Sequence, residues 1–303
     1  MKGASEAHSL ALEVANKECL VRTNNLPFLG EIAGRYGPFI KAHPPAKPDL
    51  LIDLRLAEAP VRAEWEPRFI AHPGVYPLPA PADYDPARDG PLIPYEVTAP
   101  EGELRVAAGD TLRASMHLAT GHASVSQTAS IYLFHTALRQ FLAYMLPFAG
   151  GCLLHSSGVV LGGRAAGFFG PSGSGKSTIA RLHMGPVLTD ESLALTRNAG
   201  GWTAHATPFW GDYDAGPPPV KSAPLAGLFR LVKGDEDEVT PLAWHSAVRE
   251  LSSSLMYRLD SPEYETALIE TACALANEVP CFTLQFRPTT SIWSLVERTL
   301  GVG

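Results

Sequence analysis

An α/β fold is predicted, with a β-rich amino-terminal region over residues 1–125 and a larger α/β domain over residues 126–303. Three observations predict it. An apolar run, Ala165–Phe169, leads straight into a glycine-rich loop and then into a helical pattern, STIARLHM. A second helix is marked by Ile131, Phe134, Leu138, Leu142 and Met145, at spacings of three and four. Upstream, 13 of the 27 prolines fall between positions 41 and 100, which restricts that stretch to turns, edges and short extended pieces.

The elements follow in order. LALEVANKECLVRT reads as two short strands around a polar turn at Asn16–Lys17, and Leu26–Tyr36 as a short helix. Leu50–Leu56 is a strand with Asp53 and Arg55 on its wetter face; Glu103–Val106 and Thr111–Leu118 are further strands. Past Gly150, Cys152–His155 and Gly158–Leu161 are two short strands, and Gly162–Gly163 is a turn before Ala165–Phe169. Helix Ser177–Met184 stops at Gly185–Pro186, and strand Val187–Thr189 follows at once. A strand over Leu225–Val232, a helix over Glu263–Asn277 and a strand over Cys281–Phe286 complete the core.

Composition bounds the function. Hydrophobic residues make up 46% and charged residues 18% of 303, enough to bury one large core or two modest ones and too apolar for overall disorder. A net charge of −7 with no Lys/Arg-rich run argues against a nucleic-acid partner. Cys19, Cys152, Cys273 and Cys281 show no CxxC pairing and read as small core residues. MKGASEAHSLALEV lacks the apolar stretch of a signal peptide, and His135, Arg139 and Gln140 interrupt the most apolar helix. The expectation is a cytoplasmic chain with no membrane partner, compatible with a homo-oligomer.

The chemistry sits in Gly170-Pro-Ser-Gly-Ser-Gly-Lys176-Ser177, which fits G-x-x-x-x-G-K-[ST]. Gly170, Gly173 and Gly175 let the backbone wrap closely around phosphate oxygens, with Ser172 and Ser174 between them, and point N–H groups inward. Lys176 brings a cation to the β- and γ-phosphates, Ser177 offers its hydroxyl to Mg²⁺, and Thr178 continues a helix whose positive end faces the same anion. The predicted ligand is a nucleoside triphosphate, ATP with Mg²⁺.

The first acidic pair, Asp190–Glu191, begins 14 residues after Lys176. One short helix and one short strand bring Asp190 back beside the phosphates if that strand ends at the loop side of the sheet. There it has three uses: binding Mg²⁺ directly with Glu191, binding it through water, or orienting an acceptor hydroxyl. The plainer alternative for both acids is a solvated strand-end turn.

LLHSSGVVLGGRAAGFFGPSGSGKSTIARL followed by VLTDES resembles the HPr kinase/phosphorylase family, whose P-loop fold is shared with phosphoenolpyruvate carboxykinases. The similarity spans about Gly150–Ser192 and continues weakly through ATPFWGD to Leu231. Thr178 stands where that family usually carries Glu, and Asp190–Glu191 where it carries paired aspartates. The resemblance implies a P-loop kinase core and Lys176 and Ser177 on phosphate and metal. It also implies Asp190 as the catalytic carboxylate and His155, 15 residues before Gly170, in the active site. The activity it implies is phosphorylation of a hydroxyl on a protein, peptide or small metabolite, or the reverse phosphorolysis. A nucleotide-sensing module without turnover is the rival from another class.

Other residues carry two readings each. His155 contacts acceptor or γ-phosphate, or is a hydrogen-bonded core histidine. His183 reads as a partner of its helix's carboxyl end. Lys221, Arg230 and Lys233 neutralise transferring charge or are solvated. Trp210 and Tyr213 line an acceptor or base pocket, or pack a loop. Asp235–Glu238 reads as a solvated turn.

Overall fold

The structure, a computed structural model, describes residues 7–57, 70–71, 93–100, 102–211, 213, 216–256 and 261–302. Among them it is a mixed α/β protein with two sheets and six α-helices. It divides into two units, Met1–Leu142 with Tyr257–Ser261, and Ala143–Met256 with Pro262–Gly303.

In the first unit, β1 (His8–Val14) and β2 (Lys17–Thr23) form a hairpin. Its turn falls one residue earlier than the sequence suggests, at Ala15 and Asn16, with φ of 52° and 61°. Positive φ at both central residues is what a two-residue hairpin turn requires. Helix α1 (Leu26–Tyr36) starts where the Asn25 side chain accepts a hydrogen bond from the Phe28 N–H at 2.9 Å. It buries Phe28, Leu29, Ile32 and Tyr36.

The chain then enters β3 (Leu50–Leu56), parallel to β2. Next come β4 (Ile70–Ala71), β5 (Ile93–Thr98), β6 (Glu103–Ala108), β7 (Leu112–His117) and β8 (His122–Gln127). The sheet order is β1-β2-β3-β8-β7-β6-β5-β4. Most of the proline-rich stretch lies outside the described residues. Strand β8 was not expected, because HASVSQ is poor in strong strand formers. Ala123, Val125 and Gln127 alternate inward against β3 and β7, and that pairing makes the strand.

Helix α2 (Ile131–Phe148) runs across the division at Leu142. It is buried far beyond one stripe, with even Arg139 and Gln140 nearly inaccessible. His135 Nδ1 lies 3.2 Å from the Tyr36 hydroxyl. Loss of hydration, with Arg139 and Arg35 adding to it, holds the imidazole well below its ordinary pKa. The unfolded chain therefore takes up this proton first, so stability is complete above the unfolded pKa of about 6.5 and falls as pH drops below it. The slope is at most about 1.4 kcal/mol per pH unit. Urea midpoints between pH 7.5 and 5 should show this loss, and His135→Gln should flatten it. An unchanged acid slope in the variant would assign the loss to other groups.

The second unit holds β9 (Gly151–Leu161), β10 (Arg164–Phe169), α3 (Lys176–Leu182), β11 (Val187–Thr189), β12 (Ser192–Asn198) and β13 (Gly201–His205). These are followed by β14 (Ser222–Lys233), β15 (Glu238–Pro241), α4 (Trp244–Ser254), α5 (Pro262–Glu278), β16 (Cys281–Phe286) and α6 (Ile292–Leu300). The pairings run β10-β9-β12-β13-β14-β16-β15, with β11 also on β9 and a further pairing of β10 with β14. Strands β9, β12, β13, β14 and β10 thus close a ring of pairings. The two short strands expected around Ser156–Ser157 are one, β9. Its first half pairs with β12 and its second with β10, so ladder bonds run through the serines.

Strand β10 lies between antiparallel β9 and parallel β14, which is in turn parallel to β16. Phe168 stacks on Phe229 at 5.2 Å, and Phe229 on Phe282 at 5.2 Å. Ile179 and Ala180 of α3 and Ile292 and Val296 of α6 join this core. The Trp293 indole donates to the Leu182 carbonyl at 2.9 Å, supplying a partner to the open end of α3. Among the described residues, no helix is long and apolar enough to cross a membrane.

Candidate functional site

The glycine loop leaves the carboxyl end of β10, where parallel β14 and β16 also end. That is the side of an α/β sheet at which ligands collect. Backbone conformation explains the glycines. Gly170, Gly173 and Gly175 have φ of 151°, 73° and 106°. A Cβ on Gly170 would lie 2.9 Å from Ser174 Oγ, and one on Gly175 2.9 Å from the Phe286 ring. Both positions therefore need glycine for space as well as for torsion.

Lys176, the first residue of α3, is buried. Its ammonium donates to the carbonyls of Gly170 at 3.0 Å and Pro171 at 3.2 Å, so the side chain folds back across the loop. The Ser174 N–H donates to the Pro171 carbonyl at 3.1 Å, which tightens the same turn. Pro171, Ser172 and Gly173 form the exposed rim, Ser177 and Thr178 are half-buried, and the buried Ser174 hydroxyl has no hydrogen-bond partner among the described residues.

Strand β11 is antiparallel to β9, which is antiparallel to β10, so β11 points the same way as β10. Asp190 follows its last residue, at the sheet end from which the loop departs. The carboxylate is 1% exposed and accepts from the Gly211 N–H at 2.7 Å and the Tyr213 N–H at 2.9 Å. Thr189 adds a second tie, its hydroxyl donating to the Phe209 carbonyl at 3.1 Å, and the Thr207 hydroxyl donates to the Ser192 carbonyl at 2.7 Å. The Arg181 guanidinium sits 5.6 Å from the centre of the Tyr213 ring. Residues 207–211 and Tyr213 are thus tied to the end of β11, and Tyr213 also to α3. Sequence reasoning missed this tie. Its signal was the pairing of Thr189–Asp190 with a glycine- and aromatic-rich turn some twenty residues on.

Glu191 is half-buried beside Asp190, and its carbonyl accepts from the Ser156 N–H at 3.0 Å. Phe169 pairs with Ser156, and His155 pairs with Ser192. His155 therefore stands at the loop end of the sheet, half-buried, between the strands that carry the loop and the acidic pair. His183 caps the carboxyl end of α3, and its side chain turns toward β9 and α6. Burial lowers its pKa, its Nε2 lies 3.1 Å from the Val160 carbonyl, and its ring packs on Trp293 at 4.6 Å.

The three other cations separate. Lys221 is exposed on the approach to β14. Arg230 Nε donates to Glu250 at 2.7 Å. Burial pushes Glu250 up, but hydrogen bonds from Arg230 and Arg249 outweigh it and hold the carboxyl below its ordinary pKa. Lys233 ends β14 and is exposed. Asp237 departs from the expected solvated turn: the Arg287 N–H binds its carboxylate at 2.7 Å and holds its pKa low.

A phosphate group fits this donor set: a cradle that side chains would fill, a buried ammonium and a hydroxyl at the start of a helix. Among the described residues no group of three or more His, Cys, Asp or Glu is placed to hold a metal ion. Mg²⁺ bound here would draw on phosphate oxygens and water beside a hydroxyl and one or two carboxylates.

Comparison with known families matches residues 123–301 to the model described as ScmC, SynChlorMet cassette protein ScmC. No curated protein matches the chain. The match corrects the resemblance to HPr kinase/phosphorylase drawn from residues 150–192. That stretch is dominated by a short glycine-rich loop, a local pattern that unrelated lineages share, so it is a poor guide to family.

Proposed function

The chain belongs to the ScmC family, and from that premise we propose that it is an ATP- and Mg²⁺-dependent phosphotransferase acting on a hydroxyl of a protein, peptide or small metabolite. The observation that carries this reading is the loop between β10 and α3, with Lys176 drawn across it to Gly170 and Pro171. In this reading the second unit is a P-loop kinase core. Residues Gly170 to Thr178 hold the triphosphate, and Ser177 with Asp190 and Glu191 would hold Mg²⁺, which neutralises phosphate charge when bound.

The acceptor oxygen attacks the γ-phosphorus in line, and the bond from that phosphorus to the β-bridging oxygen breaks, releasing ADP. The hydroxyl proton passes to Asp190 or to solvent. Asp190 orients the acceptor and His155 assists; the catalytic demand is mainly positioning and charge neutralisation. A nucleotide-sensing module is the second reading. It is favoured by the use of both Asp190 oxygens to anchor residues 211 and 213.

Incubating the purified protein with γ-labelled ATP, alone and with fractionated cell extract, tests these readings. The expected result is slow phosphate release alone and label entering an acceptor, because water lacks the binding contacts that position a true acceptor. Rapid acceptor-independent release would replace transfer with hydrolysis. Tight Mg-ATP binding with neither release nor transfer would leave the sensing module.

A further inference from the structure

We propose that the second unit seats a second anion beside the triphosphate cradle, a negatively charged group of the phosphoryl acceptor, in the pocket between the loop's outer rim and the end of β14. The proposal rests on the nucleotide reading of the loop and adds the charge class of what accepts the phosphate. The pocket encloses about 240 Å³ and is lined by Pro171, Ser172, Gly173 and Ser174 on one side and by Arg230 to Lys233 on the other.

Three groups suit an anion there. Lys233 is exposed at the carboxyl end of β14, with no hydrogen-bond or ion-pair partner among the described residues. Arg230 is held in place through Nε by Glu250, which leaves the terminal N–H groups of its planar fork for a ligand. Ser174 is 6% exposed, and its hydroxyl, buried at the pocket wall without a partner among the described residues, is costly until a ligand oxygen meets it.

Of the acids near the pocket, Glu250 offsets part of the Arg230 charge, and Asp235 and Glu236 are exposed in the turn after Lys233. The Glu250 carboxylate is held by Arg230 and Arg249, and that of Asp237 by Arg287 and Ser291. Lys176, whose ammonium is held by the Gly170 and Pro171 carbonyls, is not among the residues that line this pocket. A ligand at Lys233 would face the exposed rim of Pro171, Ser172 and Gly173.

Inorganic phosphate is the probe, titrated calorimetrically into protein saturated with Mg²⁺ and a non-hydrolysable ATP analogue, so that the γ position is already filled. The expected result is one phosphate bound per chain, weakened about ten-fold or more by Lys233→Ala and largely restored by Lys233→Arg. Analogue affinity should stay within about two-fold, because Lys233 is outside the cradle. Phosphate that binds only nucleotide-free protein would place the anion at the γ position and overturn the proposal. Binding indifferent to Lys233→Ala would overturn it as well. An analogue that fails to bind at all would remove the nucleotide reading itself, a different outcome from loss of phosphate binding alone.

Discussion

Lys176→Ala is expected to weaken Mg-ATP binding by about ten- to a hundred-fold, the scale of a lost charge-assisted hydrogen bond. The change removes the buried ammonium and, with it, the two bonds that draw Gly170 and Pro171 together. The loop glycines and the N–H groups they expose remain, so residual affinity is expected rather than none. Calorimetric titration with Mg-ATP gives the affinity, and circular dichroism checks that the sheet and helices persist. Unchanged affinity and unchanged turnover in a folded variant would sink the assignment of the loop to a triphosphate.

Asp190→Asn should have the second large effect, and it should appear in two measurements at once. Turnover should drop by about a hundred-fold or more, because the amide cannot orient a hydroxyl through a charged oxygen or receive its proton. Stability should fall too, by roughly 1–3 kcal/mol, because the side-chain NH₂ replaces an oxygen that now accepts a main-chain N–H. The contacts at stake are those to Gly211 and Tyr213. Nucleotide affinity should change least. Lower stability with wild-type turnover would make Asp190 an anchor of the Gly211 and Tyr213 backbone and remove it from the chemistry.

Much of the fold was readable where local signals agree with one another. Helix Leu26–Tyr36 has a capping asparagine and a buried apolar stripe, and strands Leu50–Leu56, Val187–Thr189 and Cys281–Phe286 are short apolar runs. Their boundaries match the expectation because burial and propensity point the same way. Where pairing rather than propensity makes the element, reading fails. Strand β8 is a serine-rich segment held by β3 and β7, and β12 and β13 form a hairpin whose turn is Gly200 and its neighbours. Helices α4 and α6 were not foreseen either: WHSAVRELSSS buries little beyond Ala247 and Leu251, and IWSLVERTL spans only nine residues.

Sequence by itself determined the glycine-rich loop between β10 and α3. Its chemistry is local: three glycines, a lysine and a serine in consecutive register specify their own backbone path, and an apolar strand before them places the loop at a sheet end. The sense of β11 was legible only as a condition, since whether Asp190 returns to that end depends on β11 pairing with β9 across distant residues. Only tertiary structure decided what the Asp190 carboxylate holds, because Gly211 and Tyr213 reach it through loop geometry with no periodic signal. The same is true of the three later cations. Arg230, paired with Glu250, and Lys233, unpaired among the described residues, differ through which elements β14 passes, a property of long-range contacts that no window of neighbouring residues encodes.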